Sequence, residues 1–332
     1  MRQLGDKKKL FPGKYEVGKL STIKDVAKAA QVSVSTASRA LNDNPRISDA
    51  TIAKVKAIAK RLNYQPNSSA KALSKGEVNV VGVVFPVTNE TAPANPFQLD
   101  IIRGANTELV AKNYVLATAI CQDKASLLKN VKAMVEQSKV HNFLVLYAEE
   151  KDPVADYLRE TGQNFVVVGQ PAQTTDRYIN NDNVLAGRKV TSYILERKQA
   201  TTPILVRSAE NWQYEQDREV GYQAEMLVNG GTPLIYELGK TDPKAFFNEH
   251  PTVDAIISVD DINLLRFYNQ LKAIKWPTKL PAICFNRSRL LSLASPTAIK
   301  VDMMPRQLGA KAVQLLFNRK IQRQLVGFKI ID

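Results

Sequence analysis

The stretch from Thr22 to Leu62 constrains this chain most tightly, because helix starts and a turn are written into it within a few residues of one another. Thr22-Ile23-Lys24-Asp25 has the form of a capping box, in which the Thr hydroxyl accepts from the third helical amide and the Asp carboxylate reaches back to the cap amide. An apolar face then runs through Ile23, Val26, Ala27 and Ala30. Gln31-Val32-Ser33 interrupts it, and Ser33 is a suitable N-cap for a second helix over Val34 to Leu41. A third helix is expected from Ser48, burying Ile52, Val55, Ile58 and Leu62. Two short helices joined by a tight turn make a helix-turn-helix, whose second helix can offer its first turn to a major groove.

Charge supports an all-α DNA-binding head. Residues 1 to 75 hold 16 Lys or Arg and 5 Asp or Glu, a balance of +11 out of the chain's +14. A basic head on a nearly neutral body is the electrostatic pattern of phosphate-backbone binding. Residues 1–20, with Lys7-Lys8-Lys9 and Lys14, lack periodicity and are expected to be disordered without DNA. A basic arm and a dispensable leader both fit them. The chain has no apolar run of about 18 residues and no signal-peptide pattern, which predicts a cytoplasmic protein without a membrane partner. Cys121 and Cys284 lie far apart with no CxxC pattern and are expected to be reduced core residues.

From Asn79 onward the pattern changes. Apolar runs recur at Val80 to Val87, Val115 to Ile120, Phe143 to Tyr147, Phe165 to Gly169, Ile204 to Val206, Ala255 to Val259 and Ala282 to Phe285. Helical stretches such as Asp123 to Lys139 and Arg306 to Phe317 separate them. Continuous apolar strands alternating with helices indicate parallel sheets covered on both faces. Doubly wound sheets often host enzymes, but no GxGxxG, Walker or GxSxG motif is present, and His141 and His250 lack a ligand or triad pattern. An enzyme is therefore not expected, and no cofactor or metal is called for.

The ordered string Thr22-Ile23-Lys24-Asp25-Val26-Ala27, Val32 to Asn42, Tyr64-Gln65-Pro66-Asn67 and Ala70-Lys71-Ala72-Leu73 resembles the lactose-repressor (LacI/GalR) family of bacterial transcription regulators. The resemblance runs on to near Asp332. It implies a helix-turn-helix domain over 21–65, a hinge helix and linker over 66–77, and an effector-binding and dimerisation domain over 78–332. That last domain would comprise two doubly wound parallel-sheet subdomains of periplasmic-binding-protein type.

Roles follow by resemblance and chemistry. Arg39 is the candidate base reader, since a guanidinium can pair bidentately with guanine, and Val34 and Ser35 match the positions that set operator preference. Thr22, Ser33, Thr36, Ser38, Asn42 and Arg46 are candidates for phosphate contacts. Asn67, Ala70 and Leu73 fall in the segment that, in the family, becomes helical on operator DNA, where Leu73 would wedge the minor groove. A plain linker is the alternative there.

Effector-binding candidates lie after apolar runs, where open α/β sheets hold ligands. Arg218, in the family-like Arg218-Glu219-Val220-Gly221, Asp260 and Asn286 are candidate hydroxyl clamps, with Phe97, Trp212 and, more weakly, Tyr147 as stacking aromatics. Asp260 and Asn286 also suit helix caps. Asn181-Asp182-Asn183, Ala294-Ser295-Pro296 and Phe285-Asn286-Arg287-Ser288 look most like the branch regulating maltose or maltodextrin operons. The expected protein is a homodimeric repressor of a sugar-utilisation operon, binding pseudo-palindromic operator DNA and released by a small sugar. A carbon-catabolite regulator of the same fold, with a phosphorylated carrier protein as corepressor, stays open. The family's tetramers carry a C-terminal leucine heptad that the run ending at Asp332 lacks, so a dimer is expected.

Overall fold

A computed structural model describes residues 21–64, 78–87, 96–276 and 280–332. Contacts divide the chain into an N-terminal unit ending at Lys75 and a C-terminal unit beginning at Gly76. The leader and the hinge positions Asn67, Ala70 and Leu73 lie outside the described residues.

Among the described residues the N-terminal unit holds three helices, α1 (Ile23–Ala30), α2 (Val34–Leu41) and α3 (Asp49–Arg61). Gln31 ends α1 in the left-handed region at φ 58, which turns the chain sharply into Ser33. Val26, Ala27, Ala30, Ala37, Ala40, Val55 and Ala59 form the core, with Ile52, Ile58 and Leu62 partly buried around it. Small alanines at the contact let the three helices approach closely.

The C-terminal unit contains two six-stranded sheets. The first joins β1 (Val80–Val84), β2 (Val115–Ala119), β3 (Asn142–Val145), β4 (Asn164–Val168), β5 (Tyr178–Asn181) and, from near the C-terminus, β11 (Arg323–Val326), all parallel in the order β2-β1-β3-β4-β5-β11. The second joins β6 (Pro203–Arg207), β7 (Leu234–Glu237), β8 (Ala255–Ser258), β9 (Ala282–Phe285) and β10 (Ile299–Asp302) in parallel, order β7-β6-β8-β9-β10. β12 (Lys329–Ile331) closes that edge antiparallel to β10. In each sheet the strand order reverses once, between β1 and β3 and between β6 and β8, opening a crevice at the carboxyl ends.

Helices cover both faces of each sheet, which is why the central strands are mainly apolar, with Val and Ile frequent among them. On the first, α4 (Pro96–Ala111) and α12 (Pro305–Phe317) pack over one face, and α5 (Lys124–Glu136) and α6 (Pro153–Glu160) over the other. On the second, α7 (Asn183–Lys198) and α8 (Gln213–Val228) face α9 (Pro243–Glu249), α10 (Asp261–Ala273) and α11 (Arg289–Ala294) across the sheet. α7 and α8 cross at glycine. A Cβ on Gly187 would lie 2.3 Å from the Arg218 carbonyl oxygen, and one on Gly221 2.2 Å from that of Val184. Gly221 therefore permits the approach of the helix that carries Arg218.

The expected strands are present, some shorter than their apolar runs: β1 stops at Val84 rather than Val87. β5, β7, β10 and β11 were not among the expected runs, because their polar or half-exposed sequences carry no sustained apolar pattern.

Candidate functional site

The head exposes the start of its second helix. Thr22 and Asp25 form the reciprocal cap of α1, with the Thr22 amide 2.8 Å from Asp25 Oδ2. Ser33 Oγ accepts from the Thr36 amide at 3.0 Å and lies 2.8 Å from the hydroxyls of both Ser35 and Thr36. The remaining amides of this first turn, with the positive end of the helix dipole, suit a phosphate. Ser33, Val34 and Ser35 are exposed, Thr36 and Ser38 half-buried, and Ala37 and Ala40 face the core. Val34 is 43% exposed, an apolar group held out at the tip of the helix rather than packed. Arg39 is exposed and enters no ion pair among the described residues. Asn42 and Arg46 are exposed as well, but Asn42 already donates from Nδ2 to the Ser38 carbonyl at 2.8 Å, capping the end of α2.

In the body, the candidates divide between the carboxyl ends of the two sheets. Arg218 lies on α8 and is only 4% exposed. Its guanidinium carbon lies over the rings of both Phe285 and Tyr214, 4.2 and 4.9 Å from the centroids. Nε donates to Asn183 Oδ1 at 3.0 Å and Nη1 to the Val259 carbonyl. Two of its three nitrogens are thus committed to protein, which fixes the plane of the group.

Asp260 follows β8 and is the N-cap of α10. Oδ1 accepts from the Asn263 amide at 2.7 Å, and Oδ2 from Asn263 Nδ2 at 2.9 Å and the Tyr214 hydroxyl at 3.3 Å. Burial pushes its carboxyl up to about 6. Glu215, one position after Tyr214, is fully buried and accepts from the Ser208 amide at 3.0 Å and from its hydroxyl at 2.8 and 2.9 Å. Burial, then the neighbouring Asp260 charge, pushes it up to about 7. The corner is one guanidinium with two buried carboxyls whose proton content changes near neutrality.

Asn286 follows β9 at φ 72 and is buried, yet its carboxamide makes no hydrogen bond to any described residue. Trp212 is half-buried at the N-cap of α8, where it makes no side-chain cap bond. Phe97, on the first turn of α4, packs against the cores of both halves of the body. Tyr147 is set apart from this corner. It is packed in the first subdomain's core, and its hydroxyl donates to Asp152 Oδ1 at 3.1 Å. Arg218, Asp260, Asn286 and Trp212 thus share the carboxyl end of the second sheet, and Tyr147 belongs to the first.

Tyr214 and Glu215 carry no candidate role in the sequence, and Asn183 enters there only within the branch-like Asn181-Asp182-Asn183, not as a site residue. Tyr214 and Glu215 lie four and three positions before Arg218, a spacing that stacks them on one helix face, and this signal was available. Among the described residues there is no cluster of His, Cys, Asp or Glu able to hold a metal, and no helix is long and apolar enough to cross a membrane.

The model for bacterial regulatory proteins of the lacI family matches residues 22–67. The HTH-type transcriptional regulator MalR of Staphylococcus xylosus is 32% identical over 307 residues, covering 90% of this chain and 90% of that protein. Among solved structures, the lac repressor dimer bound to operator and the anti-inducer ONPF is similar at a TM-score of 0.76, with 19% identity, 95% of this chain and 98% of that chain covered. The complex of the transcriptional regulator CelR with cellobiose gives 0.68, with 21% identity over 94% of this chain and 98% of that one. These likenesses show the same fold, and the matched relatives are transcription regulators rather than enzymes. On the 32% identity to MalR over 90% of the chain and the match of its helix-turn-helix, the chain belongs to the lacI family of bacterial regulatory proteins, within its MalR-like branch.

Proposed function

We propose that this regulator is a homodimeric repressor of a sugar-utilisation operon, released from a pseudo-palindromic operator by a neutral sugar, maltose or a maltodextrin, bound at the carboxyl ends of the body's sheets. The division of labour is a DNA-reading domain at 21–65, a hinge at 66–77 and an effector-binding, dimerising body at 78–332. The observation that carries this reading is the corner around Arg218. A guanidinium with two bonds to protein and two rings in cation–π contact is a preorganised donor for a hydroxyl pair. At neutral pH the Asp260 carboxyl, pushed up only to about 6, is largely ionised beside it and offsets its charge, which disfavours a phosphorylated ligand and suits an uncharged polyol. Asn286 adds a buried carboxamide with donor and acceptor to spare.

The MalR relatives and the cellobiose-bound CelR support a sugar effector, and the operator-bound lac repressor dimer supports the dimer. Leu290 and Leu293 on α11, the latter 80% exposed, leave apolar surface suited to a second copy. Effector and DNA would weaken each other by the same factor; a factor of about 100 corresponds to about 2.7 kcal/mol of coupling.

Fluorescence anisotropy on the protein's own upstream promoter DNA, with maltose and longer maltodextrins added, tests this reading. Release by one sugar, lost in Arg218→Ala while DNA binding persists, is the expected result. Tight binding that no sugar alters overturns the inducer and turns attention to a phosphorylated carrier protein as corepressor.

A further inference from the structure

The body passes between its two halves three times, and each passage is short. β5 ends at Asn181 and α7 begins at Asn183; β10 ends at Asp302 and α12 begins at Pro305; β11 ends at Val326 and β12 begins at Lys329. At the second passage Met303 lies in the core of one half, while Met304, left-handed at φ 55, packs on the core of the other. At the third, Val326 and Phe328 divide in the same way. With so little chain between the halves, any rotation of one against the other must be absorbed by the backbone angles of these few residues.

One side chain joins all three passages. Asn181 is 4% exposed, and its Nδ2 donates to the carbonyl oxygens of Val326 at 2.9 Å, Met303 at 3.1 Å and Gly327 at 3.3 Å. Two N–H groups serve three acceptors, so all three distances hold only at one mutual placement of the passages. Its neighbour Asn183 donates to the Asn181 carbonyl at 3.3 Å and accepts from Arg218 Nε at 3.0 Å. One residue, Asn183, therefore stands between the Arg218 guanidinium and Asn181, where the passages meet.

We infer that Asn181 is a pin that sets the relative placement of the two halves of the body, and that Asn183 is a positioning residue tying that pin to Arg218. The chemistry requires a carboxamide. An aspartate has the same shape but no donor and would face three carbonyl oxygens, and an aliphatic residue would leave those carbonyls buried and unpaired. The tie gives a ligand at Arg218 a hydrogen-bonded route to the hinge, and this part rests on the effector reading above. The pin itself does not.

The test uses the full chain with Cys121→Ser and spin labels at Lys129→Cys on α5 and Lys244→Cys on α9, both exposed and one on each half. Pulsed electron resonance reads the distance distribution without ligand. With labelled protein diluted in excess unlabelled protein, so that a dimer carries at most one labelled protomer, the parent should give one dominant separation. Asn181→Asp and Asn183→Asp, at unchanged helical circular dichroism, should broaden or displace it, and Asn181→Ser, which keeps one donor, should fall between. If Asn181→Asp does not fold, Asn181→Ser decides. Folded Asn181 variants with the parental distribution overturn the pin; a parental distribution in Asn183→Asp overturns the tie. Maltose titration of the parent, followed by calorimetry, is read separately. Its failure refutes the sugar and leaves the ligand-free comparison to judge the hinge.

Discussion

Gly221→Ala should destabilise the body although it adds only a methyl group. The new Cβ would lie 2.2 Å from the Val184 carbonyl oxygen, 2.8 Å from the Arg188 amide nitrogen and 3.0 Å from Gly187 Cα. All three are backbone atoms of α7, so no rotamer change relieves the contact and the helices must separate by about 1 Å to restore ordinary van der Waals distances. Overpacking of this kind costs about 1–3 kcal/mol, and a backbone obstacle puts it at the upper end. Alanine's better helix propensity returns roughly 1 kcal/mol, leaving a net loss of about 1–2 kcal/mol. Urea unfolding followed by the fluorescence of Trp212 and Trp276 measures it. Gly187→Ala meets the Arg218 carbonyl from the other side, and the double variant should lose less than the sum, because one separation relieves both. Gly327→Ala, with nothing within 4 Å of its Cβ, is the control. Equal stability of Gly221→Ala and the parent, within about 0.5 kcal/mol, would refute the tight-crossing argument.

The buried carboxyls make a pH prediction. Glu215 stands near 7 in the folded chain against an ordinary 4.5, so the native state holds a proton that the unfolded chain releases. Its contribution is thus lost as pH rises from about 4.5 through about 7, and Glu215→Gln, which cannot ionise, should gain on the parent by roughly 2–3 kcal/mol between pH 5 and 8. A stability gap that stays flat across that range would contradict the burial argument. In the head, Arg39→Ala should cost about 1–3 kcal/mol on the preferred operator and narrow the gap between operator and scrambled DNA, measured by anisotropy at fixed salt. Equal loss on both DNAs would make Arg39 a phosphate contact. Ser33→Ala should lower the stability of the isolated α1–α3 transition in the full chain by about 1 kcal/mol through loss of the α2 cap, read by helical circular dichroism.

The head was legible because its signals are local. Thr22 with Asp25, Ser33 with Thr36 and Ser48 with Thr51 each act across three residues, so the helix starts sit where their hydroxyls are. The central strands were legible for a different reason. Strands covered on both faces must be apolar along their buried length, and β1 and β9 are so throughout, while β3, β4 and β8 carry one polar residue each, at an end (Asn142, Asn164 and Ser258). The edge and passage strands were not, since β5 (Tyr-Ile-Asn-Asn) and β11 (Arg-Gln-Leu-Val) owe their pairing to a sheet that forms around them.

The candidate site divides the same way. Arg218 could be picked out with its Gly221, but its setting could not: the Phe285 ring comes from another strand, and Asn183 from the preceding helix. The sequence alone determined the elements whose causes lie within a turn or a strand, namely the capped helices, the basic head and the doubly covered strands. Only the tertiary structure decided that α12 and β11 return to the first sheet and that Asn181 meets carbonyls 122, 145 and 146 residues away. A cap or an apolar run is satisfied by its neighbours in the chain, whereas a buried carboxamide takes whatever partners the closed fold brings to it.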